Sequence, residues 1–164
     1  MGKVRSRGNA TTELAALRIL RLGAITGWRR HLPILGRPDF TFPKNRIVLF
    51  IDGCFWHGCP RCYQAPKSSA AFWRRKLSKN QKRDKEVSNR LRRCGWRVVR
   101  VWECQLKSPA YLLRQLKKTI SKYPIEIATQ GILSIRNSTS GLMAAIARCR
   151  PRKQRVPARQ HRRR

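Results

Sequence analysis

Residues 47–62 read IVLFIDGCFWHGCPRC, and the reading of this stretch decides the fold. Ile47 to Ile51 form an unbroken apolar run rich in β-favouring residues, the pattern of a central strand covered on both faces. Asp52 and Gly53 close the run. Cysteines at C-x4-C-x2-C spacing follow, enclosing Phe55, Trp56 and His57.

Upstream, Phe40-Thr41-Phe42 is predicted as a short alternating strand, and the turn Pro43-Lys44-Asn45 joins it to the central strand as a hairpin. Before that, Thr11 or Thr12 can cap a helix running to about Gly23, with Leu14, Leu17 and Leu20 on one side. Downstream, Ser68 or Ser69 is placed to cap a helix whose character lasts to Leu91 and stops at Cys94-Gly95. Trp96 to Glu103 reads as a third strand, and Pro109 to Tyr123 as a closing helix. The order is α-β-β-α-β-α, an α/β core in which the crossover helix makes the last strand pair parallel.

The chain has 164 residues, the length of one domain, and 41% of them are hydrophobic, as a folded core requires. We expect a flexible basic arm at residues 1–10, the domain at 11–125 and a largely disordered basic tail at 126–164, where Arg148 to Arg164 holds nine Lys or Arg. Charge narrows the function classes sharply. Thirty-nine Lys and Arg stand against seven Asp and Glu, a net +32 that suits a polyanionic partner, above all nucleic acid. No apolar run approaches the ~20 residues of a membrane span. The N-terminus lacks the apolar core of a secretion signal, so the expected location is the cytoplasm, with cysteines as thiols or metal ligands.

Cys54, Cys59 and Cys62 are close enough in sequence to converge on one ion, and Cys104 arrives from the end of the third strand. Four thiolates make a closed, structural zinc site that would staple the loop to the sheet. Scattered core cysteines are the competing reading, and His57 is an alternative ligand. Asp39 and Asp52 are delivered by paired strands, and two carboxylates suit Mg2+, which keeps most of its waters. His57 is placed to take a proton from such a water, and Glu13 on the first helix to orient one. A turn-stabilising Asx bond is the competing reading for Asp39.

These motifs together resemble the very-short-patch repair (Vsr-type) DNA mismatch endonucleases. The resemblance rests on Gly36-Arg37-Pro38-Asp39-Phe40, DGCFWHGCPRCY, Phe72-Trp73-x-x-Lys76 with Asn80 and Arg83-Asp84, Gly95-Trp96-Arg97-Val98, and Val101-Trp102-Glu103-Cys104, and it covers roughly residues 5 to 120. It implies a restriction-endonuclease-like fold, a structural zinc, and Mg2+-dependent nicking at T:G mismatches left by 5-methylcytosine deamination. By the same resemblance Asp39 is the metal-binding aspartate and His57 the catalytic histidine, the zinc ligands are Cys54, Cys59 or Cys62, and Cys104, and Phe55, Trp56 and Trp73 form an aromatic wedge. The main-chain carbonyl of Ile51 is a further candidate metal ligand. The best-known members carry histidine where this chain has Asp52 and a histidine among the zinc ligands, and the lysine usual in nucleases of this fold is replaced by Cys54.

The expected partner is therefore mismatched duplex DNA, with a functional link to a cytosine-5 DNA methyltransferase, and the expected state is a monomer. Two other readings compete: a structure- or site-specific nuclease with different recognition, and a non-catalytic zinc module that binds nucleic acid through charge.

Overall fold

The computed structural model describes residues 10–121. Most of the expected basic arm, all of the expected tail, and Tyr123 at the end of the expected closing helix lie outside the described residues. The central run becomes β2 (Ile47–Asp52), buried at all six positions and lying in the middle of a three-stranded sheet. β1 (Phe40–Phe42) pairs with it antiparallel, Phe40 opposite Leu49. β3 (Arg97–Trp102) pairs with it in parallel, Phe50 opposite Arg100. All three residues of β1 are buried, Thr41 included, so the alternation expected there does not separate a wet face from a dry one.

The helices are α1 (Ala15–Leu22), α2 (Cys54–His57), α3 (Ala70–Arg93) and α4 (Pro109–Ser121). Because strand side chains alternate, β2 serves two cores at once. Ile47, Leu49 and Ile51 join Val99 and Val101 against Ala16, Ile19 and Leu20 of α1 and Leu112 and Leu116 of α4. Val48 and Phe50 face the other way, against Leu91 of α3, Trp96 and Ile34. The sheet is thus sandwiched between α1 with α4 and the crossover helix α3. The same alternation puts Asp52 of β2 and Arg100 of β3 on the α3 side, a polar pair at the end of an apolar layer.

Helix ends depart from the expected caps. The first helix begins as a π-type turn, Ala10–Leu14, and Leu14 at the start of α1 offers no side-chain cap. Ser69 precedes α3 in a left-handed conformation and makes no capping bond either. The stop at Gly95 holds. With φ of 81°, Gly95 sends its N–H to the Arg92 carbonyl at 2.9 Å while Trp96 bonds Leu91 at 3.0 Å. That is a Schellman ending, and Leu91 and Trp96 seal it by packing in one core cluster. Among the described residues no helix is long and apolar enough to cross a membrane.

Candidate active site and cysteine cluster

The segment after β2 is not the open loop expected. It starts as the single helical turn α2, closed by Gly58 in the left-handed region, φ of 71°, where an added Cβ would meet Leu77 and Gln81 of α3. This reversal brings Cys59 and Cys62 back toward Cys54. Cys104 comes from the 3-10 turn Glu103–Lys107 that follows β3. The ligand atoms of these four cysteines lie within 4.8 Å of one another, and Cys59 Sγ is 3.7 Å from Cys104 Sγ. A tetrahedron of thiolates around zinc at ~2.3 Å has edges of about 3.8 Å, so the donor set fits zinc. The Cys104 N–H donates to Cys54 Sγ at 3.4 Å, and the Cys54 N–H to Glu103 Oε2 at 3.3 Å. Burial opposes ionisation of Cys59, but the amides of Arg61 and Cys62 and the neighbouring thiols bring it down to about 7, while Cys54, chiefly by burial, and Cys62 are pushed up. Cys94 lies outside this cluster and is disulfide-bonded, a departure from the expectation of thiols throughout.

On the α3 side of the sheet a cavity of about 460 Å3 opens where β2, β3, α2, α3 and the segment leading into β1 converge. Asp39, Ile51, Asp52, His57, Asp84 and Arg100 line it. Asp39, just before β1, accepts a hydrogen bond from the Ile51 N–H at 2.8 Å. Its pKa is pushed up to about 6, chiefly by burial, with the charges of Glu13 and Asp52 adding to the rise and the Ile51 amide opposing it. A half-buried carboxylate raised by desolvation, and further by its neighbours' negative charge, gains from a cation beside it, and its oxygen suits Mg2+.

His57 ends α2 with Nδ1 2.5 Å from Asp84 Oδ2 and 3.9 Å from Asp52 Oδ1. Asp84 is buried enough to resist ionisation, yet the hydrogen bond from His57 and the charge of Arg100 hold its carboxyl below the ordinary range. Arg100 grips Asp52 by both oxygens, Nε to Oδ2 at 2.6 Å and Nη2 to Oδ1 at 2.5 Å.

Of the residues expected in the catalytic cluster, Asp39, Ile51, Asp52 and His57 meet in this cavity. Glu13 does not. It is 3% exposed and bound to Arg30, through Nε at 2.8 Å and through Nη2, with His31 Nε2 at 3.4 Å, so only its charge reaches Asp39.

A family model described as "DNA mismatch endonuclease Vsr" matches residues 1–64. The Type II nicking enzyme V.XorIIP of Xanthomonas oryzae pv. oryzae (strain KACC10331 / KXO85) is 43% identical over 94 residues, covering 56% of this chain and 67% of that protein. The chain belongs to the Vsr family. The Type II nicking enzyme V.NaeI of Lentzea aerocolonigenes is 45% identical over 67 residues, 41% of this chain and 40% of its own length. The DNA mismatch endonuclease Vsr of Escherichia coli (strain K12) is 46% identical over 74 residues, 44% of this chain and 47% of its own. The chain thus spans between two fifths and two thirds of these relatives.

In this member of the Vsr family an aromatic ridge stands beside the cavity. Phe55 packs on Trp56 and Trp73 with ring centroids 5.2 and 5.1 Å apart, and Trp56 and Trp73 are 6.1 Å apart. Lys76 Nζ lies over the Trp56, Trp73 and Phe72 rings at 5.1, 5.2 and 5.6 Å. Asn80 anchors the ridge to α3 by donating to the Trp56 carbonyl at 2.9 Å. Phe55 and Phe72 are exposed, so the ridge is a surface feature.

Sequence reasoning gave no role to Asp84 and overlooked Arg100. Asp84 had a signal, as one of few acidic residues, on the inward face of α3 with Asn80 and Ser88. Arg100 had another, a charge inside the apolar run Val98-Val99-Arg100-Val101, which a buried strand tolerates only when paired.

Proposed function

We propose that this chain is a Mg2+-dependent endonuclease that nicks duplex DNA at T:G mismatches of the kind left by 5-methylcytosine deamination. The observation that carries the reading is the hydrogen-bonded His57–Asp84 pair facing Asp39 across one cavity, with an exposed aromatic ridge alongside. Asp84 holds His57 through Nδ1, which leaves Nε2 to take the proton of the attacking water and Asp84 to stabilise the imidazolium. Asp39, with the Ile51 carbonyl as a second oxygen, would hold Mg2+, which would supply positive charge where the phosphate becomes more negative. Both Asp52 oxygens are engaged by Arg100, so the reading rests on Asp39 as the metal-binding carboxylate. The thiolate cluster takes zinc and holds α2, and with it His57, to the end of β3.

The outer face of α3 presents Arg74, Arg75, Lys79 and Lys82 around a shallow groove, a surface for the phosphate backbone. An asymmetric mismatch requires no two-fold symmetric enzyme, which supports a monomer. A substrate born of methylcytosine supports the link to a cytosine-5 methyltransferase and a setting in the cytoplasm with the nucleoid. Two relatives are named Type II nicking enzymes, which favours a second reading, a structure- or site-specific nuclease with different recognition.

The deciding measurement compares a T:G duplex with its fully paired counterpart, with and without Mg2+. Mg2+-dependent nicking of the T:G strand supports the proposal, and equal nicking of both duplexes supports the second reading. Binding without cleavage leaves a non-catalytic zinc module.

The ridge carries a prediction of its own. Apolar wedges unstack a base step at a cost of a few kcal/mol, least where a mismatch has already weakened stacking. Trp56→Ala or Trp73→Ala should therefore narrow the ratio of T:G to paired-duplex nicking while zinc content stays at one per chain. Full discrimination in both variants would refute the wedge.

A further inference from the structure

We infer that Arg100 is a positioning residue, which occupies Asp52 and so commits His57 to Asp84. The inference rests on the nuclease reading only for its kinetic consequence. Arg100 sits in β3 on the face turned to α3, and its side chain is 23% exposed. Every part of it is engaged. Nε and Nη2 bind the two oxygens of Asp52 at 2.6 and 2.5 Å, and the same Nη2 lies 3.4 Å from Asp84 Oδ2. Nη1 reaches Ser88 Oγ at 3.5 Å, and Cζ stacks 4.9 Å over the Phe50 ring. Such a fork fixes a carboxylate in position as well as in charge, which a lysine cannot do.

The reason for the device lies in the neighbourhood of His57. Two carboxylates lie near its Nδ1, Asp84 at 2.5 Å and Asp52 at 3.9 Å. Left alone, they would repel each other and compete for the one ring nitrogen. Asp52 would also be released toward whatever cation Asp39 holds. A guanidinium touching both carboxylates removes the repulsion, and its two bonds to Asp52 end the competition. His57 is left with one partner, one ring orientation and a free Nε2.

The test uses the full-length chain with zinc bound, comparing Arg100→Gln, Arg100→Lys and the double variant Arg100→Gln/Asp52→Asn. Long-range 1H–15N spectra read the His57 imidazole directly, and steady-state nicking gives kcat and KM. The parent should show a single tautomer protonated on Nδ1. Arg100→Gln should show mixed or exchange-broadened imidazole signals, and kcat should fall ~10–100-fold, the range for residues that orient a functional group, with KM little changed.

The double variant should regain the single tautomer and most of the rate, because a neutral amide in place of the Asp52 carboxylate no longer competes. Arg100→Lys should resemble Arg100→Gln, and it decides the matter if Arg100→Gln fails to fold. An unchanged tautomer in the folded variants overturns the inference. So does a double variant as slow as Arg100→Gln, which would place Arg100 on the phosphate itself, or a rise in KM alone, which would make it a DNA contact. A parent that nicks no duplex defeats the nuclease reading, whereas the imidazole spectra still decide the role of Arg100.

Discussion

Asp39→Asn is expected to reduce nicking by ~10³-fold or more, beyond what the loss of a single electrostatic donor usually costs. Zinc content and DNA affinity should remain close to the parent, and above pH 6 the metal-free fold should be no less stable, because the amide keeps the acceptor oxygen that meets the Ile51 N–H and carries no charge to desolvate. The same carboxylate sets a pH dependence. Its pKa in the folded chain is raised to about 6, against about 3.9 for an unfolded aspartate. In the metal-free protein the folded form therefore keeps its proton longer, and this group makes the fold less stable as pH rises from about 4 through 6. Cation binding runs the other way, since the proton must leave first: apparent Mg2+ affinity should be full well above pH 6 and decline as pH falls through it. Metal titrations at pH 5 and pH 7.5 check the sign. An Asp39→Asn variant nicking within tenfold of the parent would make Asp39 a turn residue, and the metal assignment would fall with it.

The second large effect is loss of zinc. Structural thiolate sites carry apparent binding energies of about 10–16 kcal/mol near neutral pH, comparable to the whole stability of a domain. Stripping the metal with a chelator, or replacing buried Cys59 with serine, should abolish nicking and lower the unfolding midpoint sharply. Metal analysis should show the zinc departing in step with activity. Fully active protein that contains no zinc would defeat the claim, and the cluster would then be four packed thiols.

Much of this was legible in the sequence where one physical signal dominated. The apolar run 47–51 read as a central strand, Gly95 read as a stop, and four cysteines at ligand spacing converge as expected. The failures have separate physical causes. In a chain with 39 Lys and Arg a single arginine carries little information, so Arg100 was lost among residues that serve the surface. Asp84 lies 27 positions from His57, and only the packing of α3 over the end of β2 brings the two together. Glu13 was assigned from its chemistry, yet Arg30 and His31 claim it. A four-residue helix such as α2 is shorter than two turns and leaves no periodicity to detect. The serine caps fail because the backbone enters α3 left-handed, a conformation that no propensity at Ser69 announces.

The cysteine cluster also determines the order in which the molecule comes apart. Cys54 and Cys104 are 50 positions apart and stand just beyond the ends of two parallel strands, with all of α3 strung between them. A covalent bridge across a loop of that size would restrict the unfolded chain by roughly 4 kcal/mol, and a metal clasp imposes the same restriction while remaining reversible. In native-state hydrogen exchange of the demetallated chain, the amides of α2 should open first, taking His57 and the aromatic ridge with them, while the ladder between β2 and β3 stays protected. Loss of the clasp would thus take His57 out of the site before the β2–β3 ladder gives way.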